Sequence, residues 1–280
     1  MPAIFDNLQA VMASAYPARA FLLKHRLRDH PLFTLSALAD LARRLPAGAI
    51  EYNAGDILVD QPPDKTPQTG LSIDDTLKRI EEKNSWMAFR HVEQDDAYRA
   101  ALEECLAEIA PCAAKTTGAM HKKQGFIFVS SANAVTPLHF DPEHNILIHL
   151  QGRKRIMLYQ SADIVPDEYH ERFHAGAAHR NLCGDTLADA QAEAYDLEPG
   201  DAVYVPVKTP HWVRTGDEPC ISFSITWRSR ASDAEARLRI ANHYVRKFGG
   251  APPPPGDQPA RDAAAVFAQR VAARLTNPFG

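Results

Sequence analysis

Nothing in this chain of 280 residues suggests an oxidising compartment or a polyanionic partner. The 4 cysteines, Cys105, Cys112, Cys183 and Cys220, form no Cys-x-x-Cys pair and no framework spacing. They read as reduced thiols of a cytoplasmic protein, with Cys105 and Cys220 packing as small hydrophobes. Basic charge is not in excess either: 31 Lys and Arg stand against 35 Asp and Glu, a net charge of −4. That balance argues against nucleic acid and against an anionic membrane surface as partners. Apolar runs long enough to span a bilayer are missing. An acid comes early, at Asp6, and no basic segment precedes an apolar one, so no signal peptide is expected. What is present, 45% hydrophobic and 24% charged residues, fits a soluble globular protein with a substantial core.

Three regions follow from the patterning. Residues 1–115 read as a mainly helical region packed on the rest. Ser36 to Leu45 places Leu38, Leu41 and Leu45 at helical spacing, and Ser72 with Asp74 and Asp75 reads as a capped helix start running to about Glu82. A helix opened by Asp95 or Asp96 puts Tyr98, Leu102, Cys105, Leu106 and Ile109 on one face. A proline-bearing loop spans Asp60 to Gly70, and Trp86 to Phe89 reads as a short strand.

Residues 116–230 form the β-core. Gly125 to Ser130, Ile146 to Leu150, Arg155 to Tyr159, Glu193 to Leu197, Ala202 to Val205 and Ile221 to Trp227 are short apolar or alternating runs. Gly152, Pro199-Gly200-Asp201 and Gly216-Asp217 punctuate them. So many short strands predict a jelly roll, with Val165 to Ala190 as an insertion. Residues 231–280 return to helix, at Ala234 to Lys247 and Asp262 to Leu275, separated by Pro252 to Pro255. These two amphipathic helices could cover the core or form a homodimer contact. The expected class is therefore α+β, a double-stranded β-helix core between helical flanks.

His139-Phe140-Asp141 is the first chemical signal. Two residues apart on a strand point to one side, so an imidazole and a carboxylate would converge. Among 12 histidines in this chain, roughly one His-x-Asp is expected by chance, so the pair alone is weak. A second signal follows Pro199-Gly200-Asp201: a strand, a proline-bounded loop, then His211. Together the halves make a two-histidine, one-carboxylate metal site with open coordination positions. Lys154 is the third signal. On a strand it shares a face with Ile156 and Leu158, where an ammonium without an anion would be badly desolvated. A solvated Arg153-Lys154-Arg155 turn is the plainer reading of the same residues. The other histidines weigh less: His144 is expected in solvent, and His170, His174 and His179 on the surface of the insertion. Lys208 and Arg228 fall near the barrel end, where they could meet an anionic substrate.

The run Thr136-Pro137-Leu138-His139-Phe140-Asp141, then Asn145, then Gly152-Arg153-Lys154-Arg155, resembles the asparaginyl hydroxylases of hypoxia-inducible factor and the wider cupin-like JmjC proteins. The resemblance implies an iron(II)- and 2-oxoglutarate-dependent dioxygenase with His139, Asp141 and His211 on the metal. It implies that Thr136 and Lys154 hold the distal carboxylate of 2-oxoglutarate and that Asn145 lines its pocket. Where that family has an asparagine after its distal histidine, this chain has Thr226, the fourth cosubstrate residue expected. No tyrosine matches the family's N-terminal one, although Trp86 lies in a comparable stretch. The implied reaction hydroxylates a C–H bond of an unidentified protein or small-molecule substrate. The competing readings are a metal-dependent cupin of another reaction class and a non-catalytic binding or regulatory module.

Overall fold

The computed structural model describes residues 3–46, 48–55, 57–60, 75, 80, 85–159, 164–182 and 192–276. In chain order these begin with β1 (Phe5–Asp6), α1 (Leu8–Ala15), β2 (Phe21–His25), α2 (Leu35–Arg44), β3 (Ile50–Ala54), β4 (Ser85–Arg90) and α3 (Asp96–Thr117). The strands β5 (His121–Ser130), β6 (Val135–His139), β7 (His144–Gln151) and β8 (Lys154–Tyr159) follow. After α4 (Asp167–His174) come β9 (Ala192–Leu197), β10 (Asp201–Val205), β11 (His211–Thr215) and β12 (Cys220–Arg228). The described chain ends with α5 (Arg230–Lys247) and α6 (Pro259–Thr276). Apart from Asp75 and Ile80, the capped helix expected from Ser72 lies outside the described residues, as does most of the proline loop after Asp60.

The strands form two antiparallel sheets. The larger has the order β1-β2-β10-β7-β12-β5-β4-β3, and the smaller β6-β11-β8-β9. Four strands of the larger sheet come from the first 90 residues, where the sequence pattern predicts mainly helix. One of them, β4, is the strand read at Trp86 to Phe89. The other three are short, only β1 and β3 lie at the sheet edges, and β2 leaves Leu22 exposed, so the helical periodicity around them dominates the reading. The six core strands predicted from the sequence are all present, each within a few residues of its expected ends.

Alternation along each strand sorts side chains between two cores. From the large sheet Ile146, Ile148, Tyr204, Phe223, Ile225 and Trp227 face the helices and pack with Met12, Leu38, Leu41, Tyr98 and Leu106. Their alternates Leu147, Val203 and Val205 face the small sheet and meet Ile156, Leu158, Tyr195, Leu197 and Val213. This second cluster is the barrel interior. The β7–β8 turn brings Lys154 close to β12. Gly152 makes that turn at φ +77°, and any Cβ there would lie 2.4 Å from the Pro219 carbonyl oxygen, so only glycine fits.

The described part of the insertion, residues 165–182, packs on the core. Val165 and Leu182 bury themselves against Leu138 and Phe140 of the ligand strand, with Tyr169 and Phe173 alongside. His170, expected on the surface, is 1% exposed and meets Phe140 edge-on at 4.8 Å; His179 is exposed, as expected.

Candidate active site

His139 and His211 sit opposite each other on β6 and β11, with ring centroids 4.2 Å apart. Their Nδ1 atoms are committed elsewhere. His139 Nδ1 lies 2.7 Å from the Pro137 carbonyl oxygen and His211 Nδ1 2.9 Å from that of Thr209. A carbonyl only accepts, so Nδ1 carries the proton in each ring and Nε2 is left with a free lone pair. Both Nε2 atoms face one oxygen of Asp141: Oδ2 is 3.9 Å from His139 and 3.8 Å from His211. One donor atom from each of the three residues lies within 4.8 Å of the others. Burial keeps both imidazoles neutral, with His139 pushed down also by its neighbour His211. Burial opposes the charge of Asp141, but the guanidinium of Arg180, which donates to it, leads the effects that hold the carboxyl below its usual range. Two neutral nitrogens and an ionised oxygen are the donor chemistry of a divalent transition-metal site.

Strand register places the predicted cosubstrate residues on the interior wall. On β8, Lys154, Ile156 and Leu158 pair with Thr215, Val213 and His211, and all six face inward. A bulge in β6 matters here. His211 pairs with His139 and Val213 with Thr136, so one extra residue on β6 turns Thr136 to the same side as His139. Pro137, which cannot donate to the ladder, occupies the irregular stretch. Across the barrel, Asn145 pairs with Thr226 on β12. Asn145 Oδ1 accepts from Ser224 Oγ at 2.7 Å, and Thr226 Oγ1 lies 3.4 Å from the Gln124 carbonyl.

Lys154 is 6% exposed. Among the described residues no carboxylate pairs with it; its partner is Ser222 Oγ, which accepts from Nζ at 2.8 Å. Burial therefore pulls the ammonium below its ordinary value, with only the Cys220 thiol acting the other way. Behind Ser222 stands His149, whose Nε2 is 2.8 Å from the Gly152 carbonyl and whose Nδ1 is 3.0 Å from Ser222 Oγ. With His149 neutral and Nε2 protonated, the Ser222 hydroxyl donates to Nδ1 and presents its lone pairs to Lys154. A buried cation held at the end of such a chain, with no anion, is a place for a carboxylate. Trp86, on the same inner face, stacks on Phe128 with centroids 6.0 Å apart.

Other residues fall elsewhere. His144 is buried at 2%, not solvated; it lies on the helix side, stacked on Trp227 at 5.3 Å. Arg228 and Lys208 are paired within the protein, Arg228 to Glu143 at 2.7 Å and Lys208 to Glu235. The motifs gave no hint of Arg180, Ser222 or Ser224. The two serines had a signal in the strict Ile-Ser-Phe-Ser-Ile-Thr alternation of β12; Arg180 had none.

Comparisons with known proteins agree with this architecture. The chain is 32% identical to the Jumonji C domain-containing protein 5 of Drosophila melanogaster over 111 residues, 36% of this chain and 26% of that protein. It is 34% identical to the lysine-specific demethylase JMJ30 of Arabidopsis thaliana over 116 residues, 38% of this chain and 26% of that one. The matched stretch thus spans about a quarter of the length of these relatives. Among solved structures, Escherichia coli ycfD superposes with a TM-score of 0.57 at 16% identity, covering 97% of this chain and 68% of the other. The E. coli ribosomal oxygenase YcfD in complex with cobalt and 2-oxoglutarate gives 0.53, again at 16% identity, with 97% and 68% covered. At that identity the likeness is one of fold. These findings carry the wider cupin-like and JmjC resemblance; the narrower one, to asparaginyl hydroxylases, rests on the sequence motifs alone. Residues 64–233 match the family described as the cupin-like domain, more than half of the chain, and the protein belongs to that family.

Proposed function

We propose that this protein is an iron(II)- and 2-oxoglutarate-dependent oxygenase with His139, Asp141 and His211 as its metal ligands. The observation that carries the reading is the pairing of that converging triad with a buried ammonium, Lys154, that has no anionic partner among the described residues. The triad alone would serve any cupin metal; the waiting cation asks for a diacid. Iron with 2-oxoglutarate supplies oxidative decarboxylation coupled to attack on a C–H bond.

The chain's own residues do the positioning. His139 and His211 are locked in the tautomer that offers Nε2, and Asp141 offers Oδ2. Lys154 and Thr136 take the far carboxylate of the cosubstrate, while Asn145 and Thr226 line its sides. Ile156, Leu158 and Val213 keep the interior dry, which strengthens the ion pair and protects a reactive site from water. We place the substrate among protein side chains, a reading supported by the names demethylase and ribosomal oxygenase that its relatives bear; a small metabolite is the alternative. No helix among the described residues is long and apolar enough to cross a membrane. The three described cysteines are free thiols, which supports a cytoplasmic placement. A homodimer through α5 and α6 belongs to the same proposal, since Phe248, Phe267 and Leu275 are 85%, 68% and 78% exposed there.

The test is an anaerobic titration of the iron(II) protein with 2-oxoglutarate, followed by a succinate assay against protein extracts and metabolite pools. A visible charge-transfer band should appear in the wild type and not in Asp141→Ala, which should lose turnover. A wild-type spectrum that 2-oxoglutarate leaves unchanged would sink the proposal.

A further inference from the structure

The segment between β8 and β9 carries a side chain that neither the motifs nor the comparisons assign. Residues 180–182 run antiparallel beside the end of β6. The Phe140 amide donates to the Arg180 carbonyl at 3.2 Å and the Leu182 amide to the Leu138 carbonyl at 2.9 Å, with His139 and Asn181 bridged between them. Tyr169 fixes the same turn, its single hydroxyl hydrogen shared between the carbonyls of His179 at 3.0 Å and Asn181 at 2.9 Å. Arg180 is thus mounted on backbone tied directly to the strand that carries His139.

From there Nη1 donates to Asp141 Oδ1 at 2.7 Å, the length of a charge-assisted bond. The other oxygen, Oδ2, is the one that faces both histidines. The carboxylate is divided, one oxygen to the guanidinium and one to the site. We propose that Arg180 is a positioning residue that holds Asp141 as a one-oxygen metal ligand. This rests on the metal-site reading above and adds to it the way the carboxylate is oriented.

The division matters because a two-histidine, one-carboxylate site leaves three positions open only if the acid uses a single oxygen. A cosubstrate chelating through two atoms fills two of the three. A carboxylate free to swing would claim the last one. Arg180 itself is half exposed while Asp141 is largely buried, so solvent screens part of the pair's attraction. Its consequence is orientation.

Charge and orientation predict opposite signs, and that makes the idea testable. Removing a cation from beside a dication's site would, by charge alone, tighten metal binding. Losing the group that aims the carboxylate would loosen it. We expect Arg180→Ala to bind Co(II) about 10- to 100-fold more weakly than wild type, the usual range for loss of an outer partner. Calorimetry reads the affinity, and the visible Co(II) bands, which report ligand geometry, should shift. The metal-free variant should stay folded at the temperature of the titration, which its melting curve checks. Arg180→Lys keeps the charge but loses the planar fork, so it should show a smaller loss of the same sign and serves if the alanine variant folds poorly. Wild-type or tighter Co(II) affinity with unshifted bands in both variants overturns the inference. A wild-type protein that binds no Co(II) at all overturns the metal-site reading, and this inference with it.

Discussion

The two faces of β12 are equally dry and chemically opposite. Ile221, Phe223, Ile225 and Trp227 face the helices, and none is more than 1% exposed. Ser222, Ser224 and Thr226 face the barrel, at 0%, 2% and 6%. A strand buried on both sides usually reads as a continuous apolar run, because an unpartnered hydroxyl in a dry interior is costly. Alternation without a wet side therefore marks a cavity built for something polar. The helix face packs the main core; the barrel face sets its serine hydroxyls beside Lys154 and Asn145.

The largest effect that would sharpen this contrast lies on the helix face. Phe223 packs at 5.0 Å from Phe33 in the main core, and Phe223→Ala should cost about 3–5 kcal/mol of unfolding free energy, read by urea denaturation. Well below its melting point the variant should bind 2-oxoglutarate as wild type does. A cost under about 1 kcal/mol would show that the helix side is not close-packed and break the division of labour.

The barrel face should respond the other way round. Lys154→Met removes a buried charge whose only partner among the described residues is a hydroxyl, so the cosubstrate-free protein should be no less stable than wild type. Its affinity for 2-oxoglutarate should fall by about 10- to 100-fold, the worth of one or two hydrogen bonds to a charged group, about 1.5–3 kcal/mol. Calorimetry and urea unfolding on one preparation separate the two. If stability dropped and affinity held, Lys154 would be a structural residue.

How much of this was legible in the sequence depends on range. The turn residues and short apolar runs exposed the barrel strands, because strand alternation is local. Lys154 could be aimed inward from Ile156 and Leu158 for the same reason. β6 was hidden because Pro137 breaks its ladder and its bulge breaks its period, yet that bulge is what aligns Thr136 with His139. The pair β1–β2 joins the sheet through a partner far along the chain: β2 pairs with β10, more than a hundred residues away, and nothing local specifies that. Arg180 reaches Asp141 by a bridge between distant segments and left no periodic trace. His144 was misplaced for a simpler reason. Extending the Ile146 strand by two residues puts it with Ile146 and Ile148, on the helix side.

That histidine gives the smallest test, and pH is its lever. His144 and His149 are buried on β7, one on each face of the sheet. Burial pushes His144 down to about 4 and, with help from Lys154, His149 down to about 3. In the unfolded chain both return toward 6.5. Between those limits the unfolded state binds protons that the folded state refuses, so stability falls as the pH falls. Above about 6.5 the two states agree and the effect vanishes. Each such histidine contributes a slope of about 1.4 kcal/mol per pH unit within its window. His144→Gln should therefore flatten the stability profile between pH 6.5 and about 4 by one proton's worth, whatever it does to the absolute value. His144 hydrogen-bonds Tyr204 and Ser229, away from the barrel interior, so cosubstrate affinity at neutral pH should not move. His149→Gln should flatten the same profile but also disturb the chain from Ser222 to Lys154, and so weaken 2-oxoglutarate binding. Equal effects of the two substitutions on that affinity would mean that the sheet does not keep its two faces apart.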